Sequence, residues 1–258
     1  MTGFEGFWQV PLLLAAGLLA GFVNTLAGGG SLLTVPVLML LGLPAQHANA
    51  TNRVGVFLHS LVGGEAFDRR GQLDRRAAAS LLPLALAGAV AGAVAASRLP
   101  AAVFEPVLLA GLALIALTLV WKPQVLAPAE GTPTLGIRER PIAALALFGA
   151  GFWGGFLQAG VGIFLLASFS GLLRFDLVRA NALKVVMVAA FTGTSLLVFI
   201  AADQIVWLPG LVLAAGSVTG ARLAVRFAVS TGHETLRRVI FGLVLVALIG
   251  AWLKQAPG

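Results

Sequence analysis

The sequence predicts an all-α protein that crosses a membrane many times. Of its 258 residues, 59% are hydrophobic and only 10% are charged, and the mean hydropathy is +0.98. A soluble domain carries about 25% charged residues, so this chain has too few to cover a surface that faces water. Most of its 32 glycines lie inside apolar segments, where membrane helices use glycine for close packing.

Ten apolar segments follow one another along the chain and justify this fold class. A helix needs about 20 residues to span a bilayer. Eight segments approach that length, whereas the second and the seventh hold only 13 and 12 residues. Met1 to Trp8 lack the basic region of a signal peptide, so we expect the first segment to be kept as a helix. The segments cover residues 7–27, 31–43, 50–66, 78–97, 102–121, 141–159, 162–173, 180–201, 205–227 and 236–253.

A proline-rich, charged stretch divides the chain into two halves of five segments each. The predicted organisation is a first repeat over residues 1–121, a cytoplasmic linker over residues 122–140, and a second repeat over residues 141–258. An offset of 132 residues pairs 27–30 with 159–162, 49–50 with 181–182, and Gln72 with Gln204. Because five is an odd number, the second repeat would enter the membrane from the opposite side. The sequence therefore predicts a 5+5 inverted repeat with two short or half-spanning segments.

The distribution of basic residues predicts the orientation. Cytoplasmic loops of membrane proteins carry an excess of Lys and Arg, and an outside N-terminus places twelve of the 17 such residues in cytoplasmic loops. We therefore expect a multi-pass protein of the cell membrane with both termini outside. The net charge of +7 is spread over these loops without a basic patch, so nucleic acid is not an expected partner. The twelve residues are Arg69, Arg70, Arg75, Arg76, Lys122, Arg138, Arg140, Arg174, Arg179, Arg226, Arg237 and Arg238.

The types of residue that are missing or scattered exclude several kinds of chemistry. Without cysteine there are no disulfides, thiolate metal sites or cysteine nucleophiles. His47, His59 and His233 are far apart and lack metal-ligand spacing, and nothing resembles a Walker A sequence. We expect no metal, no cofactor and no enzymatic activity, since the acidic residues lie almost all in loops. For His59, in the middle of the third segment, a packed core residue and a proton relay both remain open.

Glycine-rich turns before the two short segments form the first part of the candidate site. Gly28, Gly29, Gly30 and Ser31 lie at the start of the second segment, and Gly160 and Gly162 lie at the start of the seventh. Such turns allow the helix to break inside the membrane, and the N-terminus of the next helix offers N–H groups to an anion. We expect Ser31 to be the N-cap of that helix. Two helix ends that arrive from opposite sides are typical of secondary transporters, whereas a simple packing turn is the alternative.

Polar residues near these turns form the second part of the candidate site, because polar groups inside a membrane are costly unless they face protein or a cavity. The asparagines among them suit either ligand contact or helix capping. The two cations either snorkel to the nearer interface or, if they stay deep in the bundle, select for an anion. These residues are Asn49, Thr51 and Arg53 in the first half and Gln158, Asn181 and Lys184 in the second, with Asn24, Thr25, Thr34 and Asn52 in the same stretches.

In their order along the chain, these motifs resemble the TauE/SafE family of membrane permeases. The resemblance lies in residues 27–31 with Pro36 downstream, in 71–74, in 155–162 and in 179–184, and it spans almost the whole chain except the linker. It implies a transporter of small sulfur-containing anions such as sulfite or an organosulfonate. Ser168 stands where the first half has Pro36, and Val161 interrupts the glycines, so the half-sites are unequal. The implied substrate contacts are Gly28, Gly29, Gly30, Ser31, Asn49, Thr51, Arg53, Gln158, Gly160, Gly162, Asn181 and Lys184.

The expected function is secondary transport, with export as the expected direction, by alternating access around a site between the repeats. A proton or a sodium ion is the expected coupling ion. A passive anion channel and an intramembrane enzyme are the alternatives. The spacing of Gly88 with Gly92, and of Gly216 with Gly220, predicts helix-packing contacts, and small-residue faces of this kind also allow a homodimer.

Overall fold

The computed structural model describes residues 8–121 and 132–230, with only the backbone described for residues 115–121. Both ranges consist of helices joined by turns and short connecting segments, and neither contains a β-strand. The tenth predicted segment and most of the predicted linker lie outside the described residues. The helices are α1 (Gln9–Leu26), α2 (Ser31–Leu40), α3 (Ala45–Asp68), α4 (Arg75–Arg98), α5 (Ala101–Trp121), α6 (Ile142–Phe156), α7 (Val161–Leu166), which continues into a π-helical turn (Ala167–Leu172), α8 (Leu177–Ala201) and α9 (Trp207–Ser230).

Each predicted segment within the described residues corresponds to one helix, but α3 and α8 begin earlier than expected. α3 starts directly after Pro44. α8 starts after Asp176, whose side chain accepts hydrogen bonds from the backbone N–H groups of Val178 and Arg179 at 3.1 and 3.0 Å. Asn49 and Asn181 therefore lie a full turn inside their helices, and the alternative that they cap these helices is wrong.

Four described helices, α1, α4, α8 and α9, are long and apolar enough to cross a membrane. Their outer faces expose large apolar side chains, for example Leu19 on α1, Leu197 on α8 and Leu208 on α9. α3 has 24 residues as well, but a polar stretch lowers its hydropathy. It lies against α8 and α9, where its polar side chains are buried. An all-helical chain with apolar outer faces and a polar centre has the architecture of an integral membrane protein.

Two helix pairs, α1 with α9 and α4 with α6, pack with their backbones in close contact. Both helices of each pair contribute glycines at positions four residues apart, and any Cβ there would collide with the partner helix backbone. This confirms the predicted packing role of the glycines in α4 and α9, and it adds two matching pairs in α1 and α6. The glycines are Gly17 and Gly21 of α1, Gly216 and Gly220 of α9, Gly88 and Gly92 of α4, and Gly151 and Gly155 of α6.

The prediction that only the second and seventh segments are short is wrong for the sixth, because α6 has 15 residues. Gly17 and Gly151 hold corresponding places in the two helix pairs, since each packs on the partner's backbone. After Gly17, α1 continues to Leu26, whereas after Gly151, α6 continues only to Phe156. α6 thus ends one helical turn earlier than α1 relative to its packing partner.

The turns lie at two opposite ends of the bundle. At one end, Leu73 after α3, Ile137 before α6 and Leu173 before α8 belong to one hydrophobic cluster. At the other end, the Gln46 amide of α3 donates to the Leu99 carbonyl at 2.7 Å, and that of Gln204 after α8 donates to the Ser97 carbonyl at 3.3 Å. The first end carries the basic residues Arg69, Arg70, Arg75, Arg76, Arg138, Arg140, Arg174 and Arg179.

Replacing a glycine at these helix contacts should destabilise the protein. In Gly220→Val, the added side chain would meet the backbone of Leu18 and Phe22, which cannot move without shifting α1. We expect a loss of about 1–3 kcal/mol, measured as a lower unfolding midpoint in detergent micelles. Gly149→Ala is the control, because a Cβ there meets nothing within 4 Å. Equal midpoints for the two variants would contradict the packing role.

Candidate functional site

The break between α1 and α2 depends on glycine. After Leu26 the chain turns at Gly28, which has a φ of +86° and donates its N–H to the Val23 carbonyl at 3.2 Å. A left-handed residue directly after a helix is a common C-terminal cap, and glycine adopts it without strain. The next helix has Gly30 as its N-cap, without a side-chain hydrogen bond. The expectation that Ser31 caps α2 is therefore wrong, because Ser31 is the first residue inside the helix.

The break between α6 and α7 uses a different residue for the same turn. Gln158 stands two residues after the end of its helix, as Gly28 does, and it has a φ of +64°. A left-handed conformation is unusual for a residue other than Gly, Asn or Asp. Gly160 follows, with a φ of +69°, as the N-cap of α7. α7 has only six residues before the π-helical turn, whereas α2 has ten, so the two helices that follow the breaks differ in length.

The two breaks meet at the centre of the bundle. A Cβ on Gly28 would collide with the backbone of Gly162, and a Cβ on Gly162 would collide with the backbone of Gly28. The side chain of Lys184 lies beside Gly162, with its Cδ 3.1 Å from the place of that Cβ. Any larger residue at either glycine would separate the two broken helices.

Arg53 of α3 holds the C-terminal end of α6. Its Nη1 donates to the Gly154 carbonyl at 2.9 Å and to Gln158 Oε1 at 2.8 Å. Its Nη2 donates to the carbonyls of Gly155 and Phe156 at 2.7 and 3.2 Å. The last carbonyls of a helix lack partners within that helix, and inside a membrane each unpaired one costs several kcal/mol. Arg53 removes this cost for α6.

Lys184 of α8 does the same for α1. Its Nζ donates to the carbonyls of Asn24 and Thr25 at 3.0 and 2.6 Å and to Asn181 Oδ1 at 2.8 Å. An ammonium group has three donors, so all of them are engaged. Each cation thus belongs to one half of the chain and binds the broken helix of the other half.

Both cations are buried and neither snorkels. The exposed fraction is 0% for Arg53 and 1% for Lys184. The ion pairs among the described residues lie at the surface and involve neither of them. The negative end of a helix dipole carries only about half a charge, so the carbonyls compensate each cation in part. Nearby donors also remain without a partner, namely Arg53 Nε and Asn181 Nδ2.

A third polar group surrounds the start of α2. Asn52 of α3 accepts a hydrogen bond from the Thr34 hydroxyl at 2.5 Å and donates to Ser31 Oγ at 2.9 Å. Asn24 Nδ2 lies 3.0 Å from His59 Nε2. These five residues, with Ser217 of α9, line a cavity of about 10 Å³, which is room for about one water molecule.

The predicted site residues therefore divide into groups. Asn49 joins the Arg53 group by donating to the Phe156 carbonyl at 3.1 Å, and its Oδ1 has no partner. Thr51 stands apart, because its hydroxyl accepts the backbone N–H of Val206 at 3.0 Å and so connects α3 to the start of α9. A Cβ added at Gly29 would meet only the Leu32 side chain.

Sequence reasoning left some residues of the centre out of the expected substrate contacts. Asn24, Thr34 and Asn52 had the right signal, since each is polar within an apolar segment, but they lack counterparts of the same type in the second half. His59 was an open alternative. Nothing in the sequence indicated Ser217, because a serine is common in a helix of small residues. Thr192, which accepts from the Gln158 amide at 3.1 Å, was missed for the same reason.

Broken helices whose ends meet in a polar, charged centre are the architecture of a membrane transport protein. The chain belongs to the TauE/SafE family, because the family model described as "Sulfite exporter TauE/SafE" matches residues 13–251. The family resemblance of the motifs is thereby confirmed.

The chain is also similar to several proteins named as probable membrane transporters. It is 29% identical to "Probable membrane transporter protein YfcA" of Escherichia coli (strain K12), over 98% of this chain and 94% of that protein. It is 28% identical to a "Probable membrane transporter protein" of Haemophilus influenzae, over 91% of each chain. It is 27% identical to "Probable membrane transporter protein ORF9" of Sinorhizobium sp, over 94% and 91%. No solved structure matches the chain significantly.

The position of Thr51 gives a testable expectation. Thr51→Val keeps the shape of the side chain but leaves the Val206 N–H without its acceptor, which costs about 1–3 kcal/mol when the group is buried. We expect a lower unfolding midpoint in detergent. Thr51→Ser keeps the hydroxyl and should lose less stability. A midpoint for Thr51→Val equal to that of the unchanged protein would show that the hydroxyl does not hold α9.

Proposed function

We propose that the chain is a secondary transporter that exports a small sulfur-containing anion, such as sulfite or an organosulfonate, by alternating access. The observation that carries this proposal is the pair of buried cations, Arg53 and Lys184, at the two helix breaks. Among the described residues no carboxylate pairs with either of them. A buried charge is costly unless it is compensated, and an anion that enters the centre would supply the missing charge.

The unpaired donors support an oxyanion as the substrate. Arg53 Nε and Asn181 Nδ2 are buried, point to no acceptor and belong to the two groups around the cations. An anion with several oxygens can accept more than one such hydrogen bond, and bonds between charged groups are the strong ones. Both the family description and the names of the relatives agree with transport, and the family description names sulfite.

The same contacts link binding to movement. All three donors of Lys184 are engaged, so a substrate oxygen must replace a carbonyl of α1 or the Asn181 side chain. A substrate oxygen that replaces an α1 carbonyl would free the end of a broken helix that belongs to the other half of the chain. Substrate binding would therefore loosen the contact between the halves, as alternating access requires.

We further propose that the halves, residues 1–121 and 141–258 with the linker 122–140 between them, are inverted repeats with both termini outside. The glycine contacts support this, because α1 with α9 and α6 with α4 use the same pattern of glycines. The turns support it too, since the α3–α4 turn and the α8–α9 turn lie at opposite ends of the bundle. The basic residues gather at the end that would then be cytoplasmic.

A carrier agrees better with the centre than a passive channel. The cavity beside Ser31 has a volume of about 10 Å³, which accommodates one water molecule and no oxyanion. The glycine backbones of the two breaks are in direct contact at Gly28 and Gly162. A substrate would therefore enter only after the helices move, which is the behaviour of a carrier.

The first test is anion transport by variants of the centre. In proteoliposomes, sulfite, thiosulfate, sulfate and sulfoacetate should be compared for the unchanged protein, Lys184→Gln and Asn181→Ala. A lost hydrogen bond to a charged group is worth about 1.5–3 kcal/mol, so we expect at least about a tenfold fall in flux. Arg98→Gln is the matched control, since Arg98 is an exposed cation at the end of α4.

Asn181→Ala keeps the contacts of Lys184 with the α1 carbonyls, so it remains informative if Lys184→Gln does not fold. Normal flux in both variants would contradict the proposed site. A lack of flux of every anion in the unchanged protein would contradict the proposed function itself.

The second test concerns the inverted repeat. Because the chain has no cysteine, Arg70→Cys in the α3–α4 turn and Ala202→Cys after α8 each introduce a single reactive thiol at an exposed position. In intact cells, an impermeant maleimide should label Ala202→Cys and leave Arg70→Cys unlabelled until the membrane is opened. Labelling of both thiols from the same side would contradict the inversion.

A further inference from the structure

His59 of α3 is a titratable group in the cavity beside the candidate anion site. Its side chain is 3% exposed and lines the cavity together with Asn24, Ser31 and Thr34. Asn24 Nδ2 lies 3.0 Å from Nε2, and Gly55, one helical turn earlier on α3, also lines the cavity. With the Asn24 amide as donor, Nε2 is the acceptor, and the imidazole is neutral with its proton on Nδ1.

We propose that His59 is the proton-binding site that couples proton movement to anion transport. This inference rests on the proposed function and names its coupling ion. Sodium is the poorer fit, because a sodium ion needs several free oxygens, whereas the oxygens of Ser31, Thr34 and Asn52 are engaged with one another. Among the side chains that line the cavity, the imidazole is the titratable one.

The local chemistry allows the ring to exist in both protonation states. The proton binds to Nε2, which faces the Asn24 side chain. An amide carries both a donor and an acceptor, so a half-turn of the Asn24 side chain replaces its NH₂ group by its oxygen and satisfies the new Nε2–H. The half-turn changes only the contact at Nε2, and Nδ1 keeps its proton.

The charged groups around the ring explain why proton and anion would bind together. From α8, the positive charge of Lys184 reaches the residue that contacts the ring, because its Nζ donates to the Asn24 carbonyl. Arg53, on the same helix as His59, is turned toward α6 by its hydrogen bonds. The cavity faces of α1, α2 and α9 present only neutral groups, Asn24, Ser31, Thr34 and Ser217 among them. A proton on His59 is therefore repelled by Lys184, and an anion at Lys184 removes that repulsion.

Asn24 connects the two binding events physically. Its side chain contacts the His59 ring, and its backbone carbonyl accepts from Lys184 Nζ at 3.0 Å. If the anion increases the proton affinity of His59 by some factor, the proton increases the anion affinity by the same factor. The two ligands would thus enter and leave the site as a pair.

The test measures proton uptake on sulfite binding to the purified full chain in detergent. Calorimetric titrations in buffers of different ionisation enthalpy count the protons taken up per bound sulfite. We expect the unchanged protein to take up about one proton more than His59→Gln, a difference in which the titration of sulfite itself cancels. His47→Gln is the matched control, because His47 lies on α3 outside the cavity lining, and it should behave as the unchanged protein does.

A second measurement leaves His59 in place, so it does not depend on the folding of His59→Gln. The chain has three histidines, and the double variant His47→Gln/His233→Gln retains His59 alone. With ¹³C-labelled histidine, the NMR signal of its ring reports its protonated fraction directly. At a fixed pH, we expect saturating sulfite to increase that fraction.

The outcomes separate the two proposals. Sulfite binding with equal proton uptake in the unchanged protein and His59→Gln, or an NMR signal of His59 that sulfite does not change, would overturn the proton site and leave the transporter standing. If none of sulfite, thiosulfate, sulfate and sulfoacetate binds to the unchanged protein, the proposed function falls and the proton site with it.

Discussion

The structure depends on how the protein satisfies the backbone carbonyls of helices that end inside the membrane. The last carbonyls of such a helix have no partner in the helix and no water to bind, so something else in the protein must donate to them. Here the donors are the guanidinium of Arg53 for α6 and the ammonium of Lys184 for α1. Both cations in turn need negative charge, and the helix ends supply part of it. The breaks and the cations therefore stabilise each other.

The contacts of Arg53 with α6 and of Lys184 with α1 join the parts of the chain before and after the linker. α3 belongs to the first half but completes the end of α6 in the second, and α8 does the reverse for α1. The glycine contacts of α1 with α9 and of α4 with α6 also join one half to the other. Among the described residues, the ends of α1 and α6 each bind a cation from the other side of the linker, so the helices do not form two separate domains side by side.

Sequence reasoning found the centre of this protein because polar residues in apolar segments are costly and hence informative. It selected Arg53, Gln158, Asn181 and Lys184, all of which lie at or beside the breaks. It did not find that the cations bind backbone carbonyls. Their partners are more than 100 positions away, and every residue has a backbone carbonyl, so residue type does not indicate which one is bound. It also placed the end of the sixth segment too late. Gln158 takes a left-handed conformation there, and its side chain is held by tertiary contacts with Arg53 and Thr192 that the sequence does not reveal.

The early end of α6 has a consequence for the rate at which a transported molecule would reach the centre from each side. One helical turn corresponds to about 5.4 Å along the helix axis, so the two breaks do not lie at equivalent depths in their respective halves. A molecule that approaches the centre from one end of the bundle would therefore meet a different energy barrier from one that approaches from the other end, even when its concentration is the same on both sides. The direction of net movement is still fixed by the gradients, but the molecule would load faster from one side than from the other. The two broken helices therefore do not make the two ends of the bundle equivalent for a molecule that approaches the centre.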